Sequence, residues 1–169
     1  MISLRSIGGA ILILLLCLSG VWAEGRRYLS GDETLLLETS EEFHKTFNPH
    51  AILSLQSPDK ILVVVTVRKS EYSVQELFDG APSSFPDGSE CMGRVLMTVD
   101  GEQAPTFLVE GMFPPDEVAT HSTLYTMVNH SDLEYTIMIH YPLHMEQEGF
   151  EFAASLLGGF HWLNRDEKP

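Results

Sequence analysis

At 169 residues, with 24 acidic residues against 10 basic ones, the chain carries a formal charge of −14. It is long enough for a substantial core and too acidic to bind nucleic acid or an anionic membrane surface. Its two cysteines, Cys17 and Cys91, do not make a disulfide-stapled scaffold.

The N-terminus places Arg5 ahead of the apolar run Ile11–Leu16 and then Val21-Trp22-Ala23. A basic start, a short apolar centre and small residues before the cut describe a secretory signal peptide spanning residues 1–23, cleaved after Ala23. The run is short for a membrane span, so no stable anchor is expected after cleavage. Leu16 precedes Cys17 where lipid attachment needs a small residue, which argues against a lipoprotein. The expected product is exported, periplasmic or secreted. Cleavage removes only Arg5 among the charged groups and leaves Cys91 as the single thiol. In Ser89-Glu90-Cys91-Met92-Gly93 it reads as a part-buried, unreactive side chain in a loop.

Residues 24–33 are polar and aperiodic, a flexible lead-in. Leu35-Leu36-Leu37 begins a first strand, and Thr39 with Glu42 suggests a short helical turn through Phe43 and Phe47, stopped by Pro49. Ala51–Gln56 and Ile61–Arg68 flank Ser57-Pro58-Asp59-Lys60, which has the composition of a hairpin loop. The arm Ile61–Val67 is apolar on both faces, as in the middle of a sheet covered on both sides. Ser73-Val74-Gln75-Glu76 is a capping box for a short helix to Asp79. A Pro/Gly/Ser-rich loop then runs from Gly80 to Gly93. Arg94–Val99 and Gln103–Val109 flank Asp100-Gly101, the most specific hairpin signal in the chain, and Pro105 places its strand at an edge or beside a bulge. A second loop, Glu110–Ser122, precedes the strand Leu124–Val128 and the polar turn Asn129–Asp132.

The next strand alternates cleanly, with Tyr135, Ile137, Ile139 and Tyr141 on one face and Glu134, Thr136, Met138 and His140 on the other. After Pro142 an amphipathic helix follows, with Met145, Gly149, Phe152 and Leu156 on one face and Gly158-Gly159 closing it. Gly149 suits a close approach to the sheet, and Phe160-His161-Trp162 reads as a final short strand. Residues 34–163 form a single α+β domain with a tail at 164–169.

The order of these pieces resembles a known family. The apolar strands lead to the capped helix Ser73–Leu77, the hairpin Val95–Gly101, the aromatic hairpin of Tyr125 and Tyr135, and the terminal helix with Ser155–Phe160. This is similar to the fold shared by the PsbP family of photosystem subunits, the DcrB-like bacterial envelope proteins and a Ran-binding nuclear import factor. The resemblance covers residues 34–163 and rests on hydrophobic spacing instead of a signature residue. It implies an antiparallel β-sheet covered by helices on both faces, a PsbP-like α/β/α sandwich. It also implies a non-catalytic exported protein that binds or helps assemble larger complexes, often membrane-associated ones.

Three sets of residues are candidates for chemistry. His140 and His144, with Glu146 just beyond, place two imidazoles and a carboxylate at one strand-to-helix corner, and His121 and His130 flank the same hairpin. This is the basis of an alternative reading as an exported divalent-metal-binding protein. Its counter-reading is that both rings are solvated. Phe107, Met112, Phe113, Pro114 and Pro115 cluster near a strand and its loop, either as an apolar patch for a protein partner or with Phe107 in the core. Asn129-His130-Ser131 matches a glycan acceptor placed on a turn. No nucleophile elbow, paired-cysteine motif or His-Glu-x-x-His is present, so an exported hydrolase ranks third and no cofactor is expected. The leading expectation is an exported accessory protein for an envelope or membrane-associated complex.

Overall fold

The computed structural model describes residues 25–80, 90–111 and 121–163. The strands are β1 (Arg26–Leu29), β2 (Leu35–Thr39), β3 (His44–Lys45), β4 (Leu53–Gln56) and β5 (Leu62–Lys69). Helix α1 (Val74–Asp79) follows, then β6 (Glu90–Val99), β7 (Glu102–Gly111), β8 (His121–His130) and β9 (Leu133–Pro142). A 3-10 turn, Leu143–Met145, leads into α2 (Glu146–Leu157), and β10 (Phe160–Trp162) closes the described chain. Seven strands form one antiparallel sheet in the order β3-β4-β5-β9-β8-β7-β6, and three form a second in the order β1-β2-β10.

The register divides the large sheet into two faces. Leu53, Leu55, Val63, Val65, Tyr135, Ile137, Ile139, Tyr141, Leu124 and Val128 share the core face. They cluster with Leu35 and Leu37 of β2, Phe160 of β10, and Ala153, Leu156 and Leu157 of α2. The small sheet and the long helix therefore cover this face together. Gly149 lets α2 settle there, because a Cβ at that position would meet the Tyr141 ring. The outer face carries Val64, Thr136, Met138, His140, Tyr125, Phe107 and Val109. Among the described residues the helix on this face is α1, whose Phe78 ring lies 6.5 Å from Phe107.

This corrects the expected sandwich with helices on both faces. Strands make up 55% of the described residues and helices 17%, so two helices cannot blanket a seven-stranded sheet. A three-stranded sheet takes much of the place expected of helices on the core face. Its β1 lies within the stretch expected to be a flexible lead-in, and pairs with β2 from Arg26↔Thr39 to Leu29↔Leu36. The helical turn expected through Phe43 and Phe47 is also absent. Phe43 is buried, Phe47 is exposed, and His44–Lys45 between them pair with β4.

The expectations based on local chemistry are met. Ser73 and Glu76 close both bonds of the capping box, and β5 sits third in the sheet with Val63, Val64 and Val65 all buried. Asp100 and Gly101 turn β6 into β7 with φ of 47° and 84°, the pair of positive values a tight hairpin demands. Ser131 and Asp132 do the same between β8 and β9, with φ of 50° and 65°. Pro105 lies on an interior strand instead of an edge. The ladder between β7 and β8 begins only at Thr106, so the proline falls just outside it.

Candidate functional site

The histidine corner separates in space. His140 is on the outer face of β9, opposite Thr123 on β8 and Leu62 on β5. Its Nδ1 is 2.7 Å from Thr123 Oγ1. Burial, reinforced by the nearby His121 ring, holds the His140 pKa below its ordinary value. His144 sits on the 3-10 turn and is exposed, while the side chain of Glu146 lies outside the described residues. Among the described residues, no group of three His, Cys, Asp or Glu side chains is placed to hold a metal ion. Strand alternation sends His140 to one face of the sheet, and the turn carries His144 out to solvent.

The predicted apolar patch divides similarly. Phe107 is 1% exposed, packed beneath α1, so the core reading of this residue is the one observed. Met112, Phe113, Pro114 and Pro115 lie outside the described residues. Cys91 is in β6 instead of a loop, half-buried, with its Sγ 3.5 Å from Gly93 O. Asn129 is likewise in a strand, and its Nδ2 donates to Tyr72 O at 2.8 Å. Its amide is engaged, which is a poor presentation for a glycan acceptor.

Sequence reasoning missed two polar clusters. The first joins the hairpin tips to β10. His130 donates from Nδ1 to Glu102 Oε1 at 2.9 Å, and its ring stacks on Trp162 at 4.4 Å between centroids. The Tyr135 ring also meets Trp162, tilted, 4.7 Å between centroids. The Asp100 carboxylate accepts the Trp162 backbone N–H at 2.8 Å and stands 3.3 Å from His161 Nδ1. These contacts fasten the small sheet to the turns of the large one. The two hairpin tips and β10 are each about thirty residues apart in sequence, so no spacing announces the cluster.

The second cluster is the buried carboxylate of Glu134, whose side chain is 0% exposed. Its Oε1 accepts from Arg68 Nε at 2.8 Å and lies 2.7 Å from Nη2. Glu134 Oε2 is buried with no hydrogen-bond partner, as is Oδ1 of its cross-strand neighbour Asn129. The alternation pattern did place Glu134 opposite the core face, but the ion pair that allows its burial comes from β5.

The remaining feature is the edge formed by β6. It pairs only with β7 among the described residues, and Met92, Val95 and Leu96 on it are 56%, 46% and 43% exposed.

Comparison with protein-family models and with curated proteins finds no match. Solved structures do match. Cyanobacterial PsbP (CyanoP) from Synechocystis superimposes with a TM-score of 0.60 at 11% identity, covering 86% of this chain and 96% of that one. A protein from Bacteroides thetaiotaomicron gives 0.61 at 9% identity, over 86% of this chain and 51% of that one. The Saccharomyces cerevisiae Ran-binding protein Mog1p gives 0.56 at 10% identity, over 85% and 97%. At these identities the likeness concerns architecture alone. The chain has the PsbP-like fold, the one shared by CyanoP and Mog1p.

Proposed function

We propose that this is an exported, non-catalytic binding or accessory protein that serves a protein complex of the envelope or of a membrane. The observation that carries the reading is the fold, matched over 85% of the chain to Mog1p, a protein named for binding Ran, and over 86% to CyanoP. Export is supported by Arg5, the apolar run and the Val21–Ala23 cleavage pattern. No helix among the described residues is long and apolar enough to cross a membrane.

The test is to express the tagged gene in its own host, measure the mass of the product and isolate it under native conditions. Loss of residues 1–23 and recovery of one protein at fixed stoichiometry are the expected results. A full-length product confined to the cytosol overturns export. Recovery without a partner but with bound divalent metal, lost in the His140→Ala/His144→Ala variant, transfers the reading to the metal-binding alternative. Turnover in an ester and peptide screen overturns the non-catalytic assignment.

A further inference from the structure

Strand β6 offers ten residues of backbone whose outward N–H and C=O groups meet no other strand among the described residues. Val95 lies opposite Thr106 and Leu96 opposite Pro105, so their side chains project to opposite faces of the sheet. The exposed apolar surface therefore wraps around the edge instead of lying on one face. A strand laid alongside covers such a surface from both sides, with backbone bonds giving affinity and alternate side chains packing against Val95 and Leu96. The run Val95–Val99 contains no charge and no proline, the usual guards of an edge. Arg94, the cation on β6, is turned back onto α1, donating to Phe78 O at 3.3 Å and lying 5.9 Å from the Phe78 ring centre. The bulge between Cys91 and Gly93 confines the irregularity to one end.

Charge selects the occupant. Glu90 and Glu110 face each other across β6 and β7 at one end of the edge, and at the other lies the turn of Asp100 and Glu102, whose carboxylates also hold the Trp162 N–H, His161 and His130. A second copy paired antiparallel brings the Glu90 end of each chain against the acidic turn end of the other. Both chains already carry a formal −14, so self-pairing is opposed where a basic segment is favoured. We propose that β6 is a strand-addition site for an extended segment of a partner protein, apolar at its centre and carrying Lys or Arg at both ends. The inference rests on the binding-protein reading above and names its surface.

The test uses the purified full chain and a labelled synthetic peptide with a central Val-Ile-Val run between Thr residues and Lys at both termini. A counterpart ending in Glu and a Val95→Lys/Leu96→Lys double variant complete the set, with Phe47→Lys as a control at another exposed apolar residue. The Lys-ended peptide is expected to bind the wild type and Phe47→Lys equally. Binding should be about tenfold or more weaker for the double variant and for the Glu-ended peptide, and should weaken as salt rises. Circular dichroism of the variants checks that each is folded. Equal binding to wild type and double variant, equal binding of the two peptides, or no binding of either overturns the proposal. So does a wild-type dimer in sedimentation that the double variant loses, since that makes a second copy the occupant. A native partner that co-purifies equally with wild type and double variant removes the edge from the argument and leaves the accessory reading standing.

Discussion

The two edges of the seven-stranded sheet are built on opposite principles. At one edge β3 is two residues long, both exposed, and one of them is Lys45. A two-residue strand gives an approaching chain few groups to pair with, and its cation, like that of β6, bonds a carbonyl, Leu29 O at 3.1 Å. At the other edge β6 is ten residues long, with Met92, Val95 and Leu96 exposed and its one cation turned toward α1. Among the described residues, shortness closes the first edge, and length with exposed apolar side chains leaves the second open. An open apolar edge exposes a chain to aggregation, so its presence at one side of an otherwise guarded sheet points to use.

The contrast is tested most severely at the support beneath β6. Phe107→Ala, at a site 1% exposed, should cost about 3–5 kcal/mol in denaturant unfolding. Its Phe78 contact holds α1 on this side of the sheet, so amide exchange in α1 and β6 should accelerate while that in β4 is unchanged. A uniform acceleration across the sheet would show that the two sides do not differ in this way. The junction between the halves comes next. Arg68→Ala removes the partner of a fully buried Glu134 and loosens β5 against β9. Because Arg68 is itself 63% exposed, solvent screening reduces the usual buried-pair cost to about 1–2 kcal/mol. A double-mutant cycle with Glu134→Gln should return a favourable coupling; additivity would remove the ion pair from the account.

A pH response is expected from His140, which joins β9 to β8 through Thr123. Burial first, and the His121 charge second, hold its folded pKa below the ordinary 6.5. The native state therefore takes up this proton less readily than the unfolded chain does. Its stabilising contribution is complete above 6.5 and is lost as pH falls below that value. Thermal unfolding followed toward acid should show a steeper loss for wild type than for His140→Gln; parallel curves would refute the assignment. The smallest effect is expected on the edge itself. Leu96→Lys should change stability by about 0.5 kcal/mol or less, since the side chain is 43% exposed. A loss well above that would mean that Leu96 packs against the fold instead of facing a partner.

Much of this architecture was legible because it is local. Asp100-Gly101 pairs two positive φ values with residues that tolerate them, and Ser73 with Glu76 caps α1 within a single turn. Gly149 under the Tyr141 ring and the alternation through Tyr135–Tyr141 were equally readable. The failures share a cause. Arg26–Leu29 looks polar and unstructured, yet Tyr28 bonds the Phe43 N–H at 2.7 Å and β2 supplies the ladder. The candidate histidines have the right residue types, but chain proximity does not decide what a side chain meets. His140 meets Thr123, seventeen residues away, instead of His144, four residues away.

The sequence by itself determined the turns, the capped helix, the amphipathic helix and the inside-outside pattern of the central strands. Each of these rests on interactions within a few residues or on a periodicity that burial enforces. Only the tertiary structure decided which strands meet, that a small sheet shares a face with α2, and that β6 rather than β7 is the open edge. It alone joined His130, Glu102, Asp100 and Trp162. Strand pairing is a competition among distant segments for the same backbone groups and the same buried area. Its outcome is a property of the whole chain, and so is the position of the surface left unpaired.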